Sequence, residues 1–131
     1  MTPQRPLVLL AIDDPTLRAS HAYGLSATGF DVATVDVLRR DQPAPRPDIV
    51  LIALEDDGNE IETVIETLAR SVNARDTPIV AMVPDVGSAT RARARGAGCA
   101  AVCVRDCTLG VLAAGLRAVL ERTERDTSPV R

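Results

Sequence analysis

Lysine is absent from this chain: all fifteen basic residues are arginine. Tryptophan is absent too, and there is one tyrosine, one phenylalanine and one histidine. With so few aromatics the core must be aliphatic, built from Val, Leu, Ile and Ala in a chain that is 46% hydrophobic. A single histidine, His21, gives no support to a histidine metal centre or a histidine-based triad. It falls on the same helical stripe as Leu17 and Leu25, so a place at the edge of the core is expected. No run of about 18 apolar residues occurs, so no membrane partner or span is expected. The first residues lack a charged segment followed by a long apolar one; no secretory signal is read, and the cytoplasm is the expected compartment. The net charge of −3 argues against a nucleic-acid partner, which would call for a basic surface.

Three cysteines, an odd number, do not read as a disulfide framework, and the Cys-x-x-Cys metal spacing is missing. Cys99, Cys103 and Cys107 recur at a spacing of four. On a strand and its flanking turns that spacing does not make thiols converge as it would on a helix. Separate core thiols are expected, with Cys107, just ahead of a helix, the most open to reaction. No glycine-rich loop follows the first apolar run, which argues against nucleotide binding of the P-loop or Rossmann kind.

What the chain has is alternation. Apolar runs at 7–12, 30–35, 48–54, 77–83 and 100–104 read as five strands. The run at 48–54 is continuous, as in a strand buried on both faces of a parallel sheet. Asp14 is placed to cap a helix and Pro15 to open it, and Gly29 to end it. A short helix over 37–41 is expected to stop before Pro43, Pro45 and Pro47. Ile61, Val64, Ile65, Leu68 and Val72 mark one face of another helix. Further helices are expected over 88–96 and over 109–120, the last with Leu112, Leu116 and Val119 inward. One domain over 1–124 is expected, with 125–131 as a polar tail. The alternation predicts an α/β, doubly wound parallel sheet. Such sheets bind ligands beyond the carboxyl ends of their strands, which draws attention to Asp13, Asp14, Ala53, Val83, Pro84 and Arg105.

Several segments carry a resemblance to a known family. They are Ile12-Asp13-Asp14-Pro15 with Arg18, the Pro47-Asp48 lead into the third strand, the Thr77-Pro78-Ile79-Val80 entry to the fourth, and the stretch from Ala97-Gly98-Cys99 to Val104-Arg105-Asp106. In this order, over residues 6–122, the chain resembles the receiver domain of two-component response regulators. The resemblance implies a flavodoxin-like (βα)5 fold with strand order 2-1-3-4-5. It also implies a paired-acid metal site at Asp13 and Asp14 and a phosphate acceptor at position 53.

The chain departs from the family at the switch positions. The acceptor aspartate is replaced by Ala53, the hydroxyl residue after strand four by Val83, the strand-five aromatic by Val102, and the lysine after strand five by Arg105. A methyl group cannot take up phosphate as a carboxylate nucleophile does. Two carboxylates without a third should hold Mg²⁺ only weakly, and no other cofactor is expected. Valine has no donor for a phosphoryl oxygen. Arg105 keeps the positive charge in a larger, planar group, expected to pair with Asp13 or Asp14. Asp56 and Asp57 lie about 10 Å or more beyond Ala53 if extended, and read as a solvated loop.

In the family the usual partner surface joins the fourth helix, fifth strand and fifth helix. Here those elements would carry Arg91 and Arg95 on one helix face, with Arg117 and Arg122 on the last helix. The resulting expectation is a phosphorylation-independent pseudo-receiver, not an enzyme, that binds a protein partner or a second copy of itself through this surface in bacterial signalling. The rivals are a phosphoacceptor using a displaced carboxylate with Mg²⁺, and a small-ligand sensor at the vacated pocket.

Overall fold

A computed structural model describes residues 5–12, 14–34, 47–53, 77–83, 88–105 and 107–127, with 88–90 and 124–127 described by their backbone. Asp13, Asp56, Asp57, Pro84 and Asp106 lie outside the described residues, as do the helices expected over 37–41 and 61–72. The described elements are β1 (Leu7–Ala11), α1 (Pro15–Ala27), β2 (Asp31–Thr34), β3 (Ile49–Ala53), β4 (Ile79–Val83), α2 (Ser88–Gly96), β5 (Ala101–Val104) and α3 (Leu109–Thr127).

The five strands form one parallel sheet in the order β2-β1-β3-β4-β5, as the resemblance implies. Parallel strands leave both faces to be covered, so each of the central strands is apolar at every residue. Alternate side chains sort into two aliphatic clusters. Leu9, Ala11, Val50, Ile52, Ala81, Val83 and Val102 pack on the face covered by α2, through Ala94. Val8, Leu10, Ile49, Leu51, Val80 and Met82 pack on the other, against Leu25 of α1 and Leu112, Leu116 and Val119 of α3.

Local chemistry sets the element ends. The Asp14 carboxylate accepts hydrogen bonds from the amides of Thr16 (2.9 Å) and Leu17 (3.4 Å), capping α1, and Pro15 opens the helix. Gly29 follows the helix at φ +107°, a left-handed conformation that a side chain resists. Asp48 ties the entry of β3 to β1: its carboxylate accepts from Leu7 N at 2.7 Å, and its own amide donates to Leu7 O at 2.9 Å. The last helix runs to Thr127, beyond the expected start of the tail at 125. Glu121, Arg122, Glu124 and Arg125 are good helix formers, and no proline occurs before Pro129.

Candidate functional site

The carboxyl ends of β1, β3, β4 and β5 lie along one edge of the sheet, where the singled-out positions fall. Ala53, the last residue of β3, stands beside Met82 of β4. Its methyl group is half-buried against the cluster shared with α1 and α3. Val83, one residue further along β4, is 1% exposed and belongs to the opposite cluster. These two positions therefore face the two different cores of the sheet. Neither carries an oxygen or a hydrogen-bond donor on its side chain. Val102 is buried on the Val83 side of the sheet, beneath α2.

Arg105 follows β5 and extends its pairing by one rung, its amide donating to Val83 O at 2.8 Å. The side chain is half-buried and its Nε is fully buried. Pairing with Asp13 falls outside the described residues. Asp14 Oδ1 is engaged at the helix cap. Arg18 donates from Nη1 to Ile12 O at 2.9 Å, bracing the turn between β1 and α1.

A divalent cation of the Mg²⁺ kind needs about six oxygen ligands. The described residues of this edge supply one carboxylate, exposed and already capping a helix, beside a methyl and an isopropyl group. Asp14 by itself cannot hold the ion. Among the described residues, no group of three or more His, Cys, Asp or Glu side chains could hold a metal.

The same architecture recurs in solved structures. CheY4, the chemotaxis response regulator of Vibrio cholerae, superposes with a TM-score of 0.73 at 18% identity, over 88% of this chain and 99% of that one. The chain has the receiver fold. The signal receiver domain of a signal transduction histidine kinase from Syntrophus aciditrophicus matches with a TM-score of 0.71 at 20% identity, covering 96% of this chain and 98% of that one. HP1043, an orphan response regulator of H. pylori, matches at 0.66 and 17% identity, covering 90% and 99%. No family model and no curated sequence matches the chain.

Within the receiver fold, the arginines expected to form one surface are divided. Arg91 and Arg95 are exposed on α2, and Arg93 is half-buried on the other side of the same helix. Arg117 belongs elsewhere. It reaches across the opposite face of the sheet, where its Nη2 donates to Thr28 O and its guanidinium lies 4.9 Å from the centre of the Phe30 ring. Arg122, also exposed, stands about 140° round α3 from Arg117. The edge strand β5 separates α2 from α3, and the exposed side chain of Val111, 61% accessible, is on α3 near its start.

The three cysteines are free and pack in or beside the cores, as expected. Cys99 is buried on one face of the sheet, and Cys103 and Cys107, both half-buried, pack against the cluster on the other. The strand stops at Val104, and the Cys107 amide donates to Val104 O at 3.0 Å, closing a turn that folds the chain back. Burial pushes the Cys99 thiol up to about 11. Burial, then the neighbouring Cys107, pushes the Cys103 thiol up to about 12. His21 is half-buried, with Nδ1 2.9 Å from Leu17 O, at the edge of the core.

Proposed function

We propose that this chain is a pseudo-receiver: a regulatory module of bacterial signal transduction that works by binding a protein and not by accepting phosphate. The observation that carries this reading is the half-buried methyl of Ala53 at the carboxyl end of β3. Val83 and Arg105 support it, because the hydroxyl and lysine expected of a phosphate-handling site are replaced as well. The named similar structures are a chemotaxis response regulator, a receiver domain of a signal transduction histidine kinase and an orphan response regulator, all proteins of signalling. Without a phosphoryl group to favour one of two states, any shift between them has to come from differential binding of a partner.

The surface assigned to the partner joins α2, the edge of β5 and the flank of α3 that carries Arg122. Arg91, Arg95 and Arg122 provide its exposed positive charge, so an acidic partner face is the matching chemistry. Arg117 is not part of it, being engaged with Thr28 and Phe30.

Incubation with acetyl phosphate and Mg²⁺, followed by intact-mass measurement, tests the reading. The mass should stay unchanged. A phosphate adduct on the native protein overturns the proposal and points to a displaced carboxylate such as Asp56 or Asp57. A large rise in melting temperature with a small anion, a nucleotide or a metal would favour a ligand sensor instead.

A further inference from the structure

Charged residues make up 25% of this chain, yet one face of the molecule carries none at its exposed positions. Thr16, Ser20, Tyr23 and Ala27 form the outward stripe of α1, and no exposed residue of that helix is acidic or basic. Beside it, α3 is uncharged at every position from Leu109 to Gly115. The two helices close on each other at Gly24, where an added Cβ would stand 2.8 Å from a Leu109 methyl. Tyr23, the residue before this contact, is 81% exposed, and Leu109 itself is 37% exposed. Gly110 and Ala114 follow on α3, exposed and small. A Cβ added at Gly110 would meet nothing nearer than Thr108 Oγ1 at 4.0 Å. One face thus supplies a knob, the Tyr23 ring, and a shallow hollow over Gly110 and Ala114.

We propose that the α1–α3 face binds a second copy of the chain about a two-fold axis, each Tyr23 ring seating on the partner's Gly110 and Ala114. A two-fold contact sets a patch against itself, so the patch must supply both members of each contact and must not oppose like charges. The surface with Arg91, Arg95 and Arg122 fails the second condition. The α1–α3 face meets both. A charged partner would bury its charges there with nothing to pair them. Tyrosine brings a large contact area at a low cost in side-chain entropy, which suits it to the centre of such a contact.

The 13 residues of α1 and the neighbouring turns of α3 present a face about 20 Å long and about 20 Å wide, roughly 800 Å² in plan for the two copies together. Stable complexes bury about 1,200–2,000 Å², so the dimer is weak and reversible. It leaves α2 and the β5 edge of each copy open, and it does not depend on whether the chain takes up phosphate.

The test follows the full chain by sedimentation equilibrium from about 10 μM to about 1 mM. The average mass should rise with concentration towards that of two chains. Tyr23 is the only tyrosine and there is no tryptophan, so intrinsic fluorescence reads this face directly. Its quenching by acrylamide should fall as the mass rises. Tyr23→Arg and Ala114→Gln should each weaken association at least about tenfold while keeping the native circular dichroism. Arg91→Glu together with Arg95→Glu, on α2, should leave it unchanged. A chain that stays monomeric throughout overturns the proposal. So does a dimer whose tyrosine is quenched as readily as the monomer's, one that survives either substitution in the face, or one that the α2 substitutions abolish.

Discussion

Arg117 shows how one residue can hold two elements together. Its guanidinium caps the C-terminal end of α1 through Thr28 O and stacks on Phe30, a residue 1% exposed. An exposed cation–π contact and a charged hydrogen bond are worth about 2 kcal/mol together. Arg117→Ala should therefore lower stability by about that amount, read as a fall in the urea midpoint at constant slope. The neighbouring Gly29 is more constrained. Its φ of +107° is unfavourable to any side chain, and an added Cβ would stand 3.1 Å from Arg117 Nη2. Gly29→Ala should cost about 1–2 kcal/mol by the same measurement, from backbone strain and displacement of the guanidinium. At Ala53 the consequence is chemical: a half-buried methyl at the end of β3 cannot act as a nucleophile.

At the level of elements, α1 depends on its first turn. Asp14 accepts from two amides that would otherwise have no partner in the helix, and Pro15 needs none. Asp14→Ala should destabilise the protein by about 1 kcal/mol, and Asp14→Asn by much less, since the amide oxygen still caps. Hydrogen exchange should show the loss first in the amides of Thr16 and Leu17. If Asp14 served mainly as a metal ligand, these amides would be indifferent to the substitution. The same logic separates α2 from α3. They cover opposite faces of the sheet, so charges on the two helices can share a surface only around the β5 edge. Arg122 meets that condition and Arg117 does not.

For the molecule as a whole, two aliphatic clusters, one on each face of the sheet, carry the fold, and the thiols make it sensitive to alkali. Cys99 rises from the ordinary 9.0 to about 11 and Cys103 to about 12 on folding. Both are neutral when protonated, so the folded state holds these protons more tightly than the unfolded chain. Their contribution to stability is complete below pH 9 and is lost as pH rises through 9 towards 11 and 12. The urea midpoint should fall over that window. A Cys99→Ala, Cys103→Ala double variant should show a shallower fall, with little difference from wild type in its pH dependence below pH 8. Among the described residues no helix is long and apolar enough to cross a membrane.

Much of this architecture was written locally. Apolar runs of strand length between turn residues determine five parallel strands, because a strand buried on both faces cannot afford polar side chains. The cap at Asp14, the stop at Gly29 and the methyl at Ala53 were likewise legible, since each depends on a residue's own chemistry and its near neighbours. The destinations of long or turned side chains were not. Arg117 and Thr28 are 89 residues apart, and only the packing of α3 beside α1 brings them together. The residues' own chemistry set the layers of the fold and left a methyl group at position 53. Only the packing of elements against one another engages Arg117 with Thr28 and Phe30 while leaving Arg122 exposed, because both outcomes depend on distances that no local stretch of chain sets.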